Sequence, residues 1–193
     1  MIAASFLKKV ELTINQFKML SNGQKVVVAV SGGPDSAALL HALLRLKEKY
    51  QILIWAAHLN HLIRGKEAEE DERWVREFTA SLGVPLICER IDVSLIAREK
   101  KGGVEQVARE VRYRFLEEVA RQVSADKIAV GHTASDQAET FLMRVIRGSG
   151  SDGLAGISPI RGKIIRPLIR VFRWEVESYC QQENILPRRD STN

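Results

Sequence analysis

The sequence predicts an α/β fold: a doubly wound, mostly parallel sheet of five strands with helices on both faces. Short runs rich in β-branched residues alternate with longer amphipathic stretches along the whole chain, and that β-α order builds an open sheet through right-handed crossovers. The runs are also too continuous in apolar residues to be half exposed, which marks strands buried on both faces. The chain has 193 residues, 45% of them hydrophobic, enough to bury the core of one such unit. Residues 1–193 are therefore read as a single domain.

Taken in order, "MIAASFLKKVELTINQFKML" places Phe6, Leu7, Val10, Ile14, Phe17 and Met19 near helical spacing but interrupts them with Lys8, Lys9 and Glu11. That pattern predicts an amphipathic helix within residues 1–22 rather than a signal peptide. "KVVVAV", "ILIWAAH", "PLICERI" and "KIAVGH" read as four strands. Helical patterns run from Ser36 to Lys49, Glu67 to Leu82, Val104 to Val123, Ala134 to Arg147 and Phe172 to Glu183. In "RGSGSDGLAG", residues 147–156, seven of ten residues are Gly, Ser or Ala, so 148–156 is expected to be a flexible loop. No apolar run is long enough to span a bilayer. Cys88 and Cys180 form no C-x-x-C pair, which suggests neither a disulfide framework nor a zinc or iron-sulfur site and makes the cytoplasm the expected compartment.

The net charge of +5 is local: seven basic residues lie between Arg144 and Arg173 against one acid, Asp152, leaving the rest of the chain near −1. Such a concentration suits a polyanion, although a solvated basic face has the same composition.

In doubly wound sheets ligands bind beyond the carboxyl ends of the strands. There the chain has Ser31-Gly32-Gly33-Pro34-Asp35-Ser36, then His58-Leu59-Asn60-His61, then Gly131-His132 followed by Asp136 and Glu139. The first segment is built like a phosphate cradle. Its glycines admit positive φ, Pro34 suits the first helical position, and the helix start offers free N–H groups to an anion. It lacks the lysine of G-x-x-x-x-G-K-[ST] and is not G-x-G-x-x-G. Asp35 opposes a phosphate there: at about 4 Å and an effective dielectric of about 20 the repulsion is roughly 4 kcal/mol. Mg²⁺ held by the carboxylate and the phosphates removes the conflict; the alternative is an acid placed at a helix start by the dipole. Asp136 and Glu139 share a helical face and suit a metal, an ammonium or plain solvation. His58 and His61 are three apart with no third ligand near in sequence, which argues against zinc.

S-G-G-x-D-S after the first strand resembles the PP-loop of enzymes that cleave ATP between its α and β phosphates and adenylate an oxygen of their substrate. "HLNHLIRGKEAEED", "GGVEQVAREVRYRFLE", "GHTASDQAETFLMRVIRGSGSDGLAGI" and "IIRPLIRVFRWEVESYC" then resemble, in order, successive blocks of the tRNA(Ile)-lysidine synthetase family. The resemblance implies an adenine nucleotide alpha hydrolase-like, Rossmann-like fold and an ATP-dependent ligase. In that family the wobble cytidine of a CAU-anticodon isoleucine tRNA is adenylated, and free L-lysine then displaces AMP to give lysidine. It implies ATP and Mg²⁺ as cofactors, with Asp35, Asp136 and Glu139 catalytic and Asp35 and Asp136 on the metal. ATP is expected at Ser31, Gly32, Gly33, Pro34, Asp35, Ser36, His58, Gly131 and His132, and tRNA at Arg64, Arg112, Arg144, Arg147 and Arg166. Glu105, Arg109 and Arg112 match a family block and share a helical face, where they contact substrate or pair with one another.

Two departures stand out. Many members carry Asp-Asp where this chain has Ser135-Asp136, which moves the acid's role to Asp136. The chain also ends at "RRDSTN", inside the family's D-x-[ST]-N block, where most members continue into domains that hold the tRNA. It is read as the N-terminal catalytic domain, without membrane partners and with a homodimer left open. The other readings are a different PP-loop enzyme (a thiolase or an amide-forming synthetase), a nucleotide-binding module without chemistry, and a plain RNA-binding protein.

Overall fold

A computed structural model describes residues 2–63, 65–146, 148 and 156–188. The element order is α1 (Ile2–Gln16), β1 (Lys25–Ala29), α2 (Pro34–Arg45), α3 (Lys47–Tyr50), β2 (Leu53–Asn60), α4 (Lys66–Ser81), β3 (Leu86–Arg90), α5 (Val93–Lys100), α6 (Val104–Gln122), β4 (Lys127–Ala129), α7 (Ala134–Ile146), β5 (Ile160–Arg161), β6 (Ile164–Ile165) and α8 (Arg173–Gln182).

The strands form one sheet in the order β3-β2-β1-β4-β6-β5. All neighbours are parallel except β5 and β6, which pair as an antiparallel hairpin. The doubly wound, mostly parallel class is as expected, but the sheet has six strands rather than five. The additional pairing comes from the hairpin, whose two-residue strands turn at Gly162 with φ +59 and are too short to carry a period-two pattern.

Alternation along β1 divides the core. Val26 and Val28 pack with α1, α2, α8 and Val75 of α4, while Val27 faces Phe115, Leu116 and Val119 of α6 on the other side of the sheet. The valines are fully buried, which is why this strand reads as a continuous apolar run. The N-terminal helix lies on the first layer, where the Phe6 ring stacks on Tyr179 of α8 at 4.0 Å. A smaller cluster of Val93, Ala97, Val107 and Val111 joins α5 to α6.

The strand order reverses direction between β1 and β4, so the ends of these two strands bound a crevice. Among the described residues, no helix is long and apolar enough to cross a membrane. Helix α7 buries none of its described residues and leaves Phe141, Leu142, Met143, Val145 and Ile146 exposed. Arg64, Arg147 and most of the glycine-rich loop, residues 149–155, lie outside the described residues.

Candidate functional site

The β1–α2 turn is held by its own serines. Ser36 Oγ accepts from Ser31 N–H at 3.0 Å and donates to the Gly33 carbonyl at 3.0 Å, and Ser31 Oγ lies 3.1 Å from Ser36 Oγ. The buried Ser36 therefore braces the loop from within, whereas Ser31 is exposed at its mouth. Gly32 takes φ +101, a conformation closed to ordinary side chains. Pro34 occupies the first turn of α2, whose N-cap Gly33 provides no side-chain cap, so N–H groups at this helix start are left to a ligand.

Gly131, just beyond β4, owes its identity to a close approach. A Cβ there would lie 3.2 Å from the backbone carbon of Asp35 and the nitrogen of Ser36. The β1–α2 and β4–α7 turns thus touch through their backbones, and the starts of α2 and α7 stand side by side.

Asp35 points into this junction. Its Oδ1 is buried without a hydrogen-bond partner, and its Oδ2 lies 3.7 Å from a guanidinium nitrogen of Arg173. Burial pushes the carboxyl up to about 6; Arg173 opposes the rise, and the charges of Asp136 and Glu177 add to it. Asp136 begins α7 as part of a capping box. Its Oδ2 accepts from the Thr133 N–H at 2.6 Å and from the Thr133 hydroxyl at 2.9 Å, the reciprocal arrangement expected of T-x-x-D at a helix start. One carboxylate oxygen on each acid is thereby left for a cation. Among the described residues no group of three His, Cys, Asp or Glu side chains is placed to hold a metal alone. Asp35 and Asp136 therefore fit a Mg²⁺ that completes its shell with phosphate oxygens and water, as that ion commonly does.

A cleft of about 780 Å³ opens over the two turns and is lined by Ser31, Gly33, Asp35, Ser36, His58, Gly131, His132 and Asp136. Arg112, Glu105 and His61 reach it from neighbouring elements. Its size suits a nucleotide, with Ala29, Val30, Ala57 and Leu59 as apolar wall. The two histidines present opposite chemistry. His58 Nδ1 lies 2.7 Å from the Val30 carbonyl, which only accepts, so Nδ1 carries the proton and the buried, unpartnered Nε2 is an acceptor. His132 Nδ1 accepts from Arg166 Nε at 3.2 Å, so its proton sits on Nε2. Burial, reinforced by Arg166, lowers the His132 imidazole to about 4 and keeps it neutral.

Other predicted residues are distributed differently. Glu139 is exposed one turn beyond Asp136 and lines neither this cleft nor the smaller one beside it. That smaller cleft, of about 260 Å³, collects Arg144 and Arg166 with Arg109 and Arg161. Arg166 is 2% exposed and spends its guanidinium on His132 and the Ser158 carbonyl, so it is a buried anchor rather than an open surface cation. The basic stretch does not form one face. Lys163 donates to the Ala125 carbonyl, Arg170 reaches Gln16 and stacks over Phe17, and Arg173 faces Asp35.

Three contributors were not expected from the sequence. Arg173 is the counter-ion of Asp35. Arg188 donates its backbone N–H to the Gly32 carbonyl and its side chain to Asp71 and Glu70, folding the chain after α8 over the glycine turn. Glu72 is buried and accepts from Asn60, Arg76 and Arg90, while Asn60 Oδ1 accepts from the Leu62 N–H and so fixes the loop after β2. The T-x-x-D box at 133–136 and the four-residue spacing of Glu72 and Arg76 carried local signals; Arg173 and Arg188 depend on contacts between distant parts of the chain.

A family model described as PP-loop domain matches residues 6–193. The tRNA(Ile)-lysidine synthase of Clostridium acetobutylicum is 50% identical over 182 residues, covering 94% of this chain and 40% of that protein. The Geobacillus kaustophilus protein of the same name is 42% identical over 191 residues, with 97% and 41% covered. The chain thus spans about 40% of the length of these curated relatives. Among solved structures, the U34-tRNA thiolase NcsA of Methanococcus maripaludis with its [4Fe-4S] cluster superposes with a TM-score of 0.82 at 20% identity, covering 97% of this chain and 66% of that one. The NH3-dependent NAD synthetase of Campylobacter jejuni gives 0.60 at 17%, covering 96% and 75%; at such identities the likeness is one of fold. With its glycine turn, paired helix starts and sheet order all in place, the chain belongs to the PP-loop domain family.

Proposed function

We propose that this chain is the catalytic part of an ATP-dependent ligase that converts the wobble cytidine of an isoleucine tRNA with a CAU anticodon to lysidine. The observation that carries the reading is the buried, unpartnered Oδ1 of Asp35 at a helix start beside Asp136, since an acid at an anion cradle needs a cation shared with the anion. Similarity to named tRNA(Ile)-lysidine synthases along nearly the whole chain supplies the substrate.

In this reading ATP lies in the main cleft with its phosphates at the N-terminus of α2, over Gly32, Gly33 and Ser31. The His58 Nε2 acceptor suits an exocyclic amine such as that of adenine, and the His132 Nε2–H donates to an oxygen of the nucleotide or of the cytidine. Asp35 and Asp136 would hold Mg²⁺, which when bound would neutralise charge on the phosphates. The C2 oxygen of cytidine bonds to the α-phosphorus and pyrophosphate leaves. The lysine side-chain amine, having lost a proton, then bonds to C2, and the C2–O bond breaks to release AMP. Free lysine has a side-chain pKa of about 10.4, so a carboxylate must accept that proton as a base; Asp136 lies in the cleft, while Glu139 must act from its exposed position on α7. Arg112 faces the substrate from α6, and Arg64, Arg144 and Arg147 are assigned to the RNA.

A thiolase reading, to which the fold of NcsA points, lacks ligands. Cys88 lies on β3 and Cys180 on α8, and burial raises both thiols; two separated cysteines do not make a cluster site. The test is to supply ATP, Mg²⁺, lysine and the tRNA and to ask by mass spectrometry whether a cytidine gains the mass of lysine less water. Gain of sulfur, or ATP turnover without any change in the RNA, would replace the reading.

A further inference from the structure

Among the described residues, the smaller cleft is lined by four arginines, Arg109, Arg144, Arg161 and Arg166, and by no carboxylate. We propose that it seats a backbone phosphate of the RNA strand, adjacent to the nucleotide whose base enters the main cleft. The proposal rests on the RNA-modifying reading above and adds residues and a ligand group to it.

Arg109 of α6 and Arg161 of β5 converge on one ring: their guanidinium carbons lie 5.3 and 5.1 Å from the centroid of Tyr113. Cation–π contact orients both groups but leaves their N–H donors unspent. Neither is ion-paired with a carboxylate among the described residues. The two like charges drawn to one ring repel one another, and an anion between Arg109 and Arg161 lowers that cost. The rear of the cleft is fixed: Arg166 is buried and donates to the Ser158 carbonyl and to His132. The near wall is fixed as well, because the Gln137 side chain accepts from the Ile157 N–H and donates to the Ile157 carbonyl. A Cβ at Gly156 would lie 2.2 Å from the Gln137 amide oxygen, so any larger residue there would displace the side chain that holds Ile157.

His132 lines both clefts. An anion held by these arginines is therefore next to the candidate reaction centre, on the side away from the α2 cradle. The exposed positions of Arg109 and Arg161 favour a phosphodiester over the carboxylate of an amino acid, because they leave the cleft open to the surface, as a strand that enters and leaves requires. Bidentate N–H donation to phosphate oxygens is the geometry in which arginine excels.

The test uses Arg109→Ala and Arg161→Ala in the present chain, with an anticodon stem-loop RNA carrying CAU as the probe. Both residues are exposed, so thermal melting controls for folding. If each contacts phosphate, each variant weakens RNA binding and lowers the slope of log K against log salt by about 0.7 to 0.9, while ATP affinity and the KM for lysine are unchanged. An unchanged slope in both variants, or absence of RNA binding by the parent chain, overturns the phosphate seat. A raised KM for lysine with an unchanged slope assigns the cleft to the amino acid's carboxylate and overturns it too. Slopes that fall as expected in a chain that never releases pyrophosphate from ATP would retain the seat and remove the lysidine reading.

Discussion

At the scale of single residues, the chemistry depends on keeping charge where the fold alone would not choose it. Asp35 is raised to about 6 chiefly by burial, so the surrounding protein alone disfavours its ionised form, which gains most from a bound cation. Asp35→Asn is expected to leave melting at neutral pH no lower than in the parent while abolishing ATP-dependent pyrophosphate release. Near-normal release at ordinary Mg²⁺ would remove the metal role. Glu72 shows the opposite case. Its carboxylate is buried but held down to about 2, because hydrogen bonds from Arg90, Asn60 and Arg76 outweigh the burial that opposes them. Since its folded value lies below the ordinary 4.5, the stabilisation is complete above about pH 4.5 and is lost as pH falls towards 2. At roughly 1.4 kcal/mol per unit the depression corresponds to at most about 3.5 kcal/mol. Solvent screening of the half-exposed Arg76 and Arg90 reduces it, so Glu72→Gln is expected to cost about 2 to 3 kcal/mol at pH 7, with the gap to the parent closing below pH 4. A constant gap across that range in urea melts would show that packing, not charge, gives Glu72 its weight.

Among the elements, the pieces that build the cradle are legible because their signals are local. Four strands, the S-G-G-P-D-S turn and the Pro34 helix start can each be read within a dozen residues, and all stand where the pattern places them. The hairpin of β5 and β6 and the eight-residue α5 are not legible, since neither is long enough for its periodicity to be counted. Nor are Arg173 against Asp35 or Arg188 over Gly32, which join positions more than a hundred residues apart. Gly131 belongs to both categories: its place after β4 marks it as a site residue, but only the packed structure gives the reason. Because a Cβ there meets backbone, which has no rotamer to yield, Gly131→Ala is expected to push the two helix starts apart. It should cost about 1 to 3 kcal/mol in stability and weaken ATP binding more than RNA binding. Isothermal titration with ATP, with the RNA titrated in parallel, checks this; unchanged ATP affinity would mean that the two turns need not touch.

For the molecule as a whole, the reversal of strand order between β1 and β4 brings two helix starts to one crevice, and each brings one acid. Such a site suits the phosphates of a nucleotide, and in the proposed synthesis of lysidine the attacking amine has no counterpart in the cradle itself. The two half-reactions should therefore separate. Replacement of the C2 oxygen by an amine first requires that oxygen to become a leaving group, so with ATP and the tRNA alone pyrophosphate should appear in a single turnover and an AMP-linked cytidine should accumulate. Lysine should be needed only to release AMP. Glu139, exposed on α7 and outside the cleft that holds Asp35 and Asp136, provides the discriminating variant. Glu139→Gln is expected to release pyrophosphate at the parent rate and to stall before lysidine if it takes the proton of the amine. Loss of pyrophosphate release would join Glu139 to the ATP site despite its exposure, and normal passage through both steps would leave Asp136 as the base. A requirement for lysine before any pyrophosphate appears would show that the cleft closes only around all three substrates, and the order of events drawn from its architecture would then be wrong.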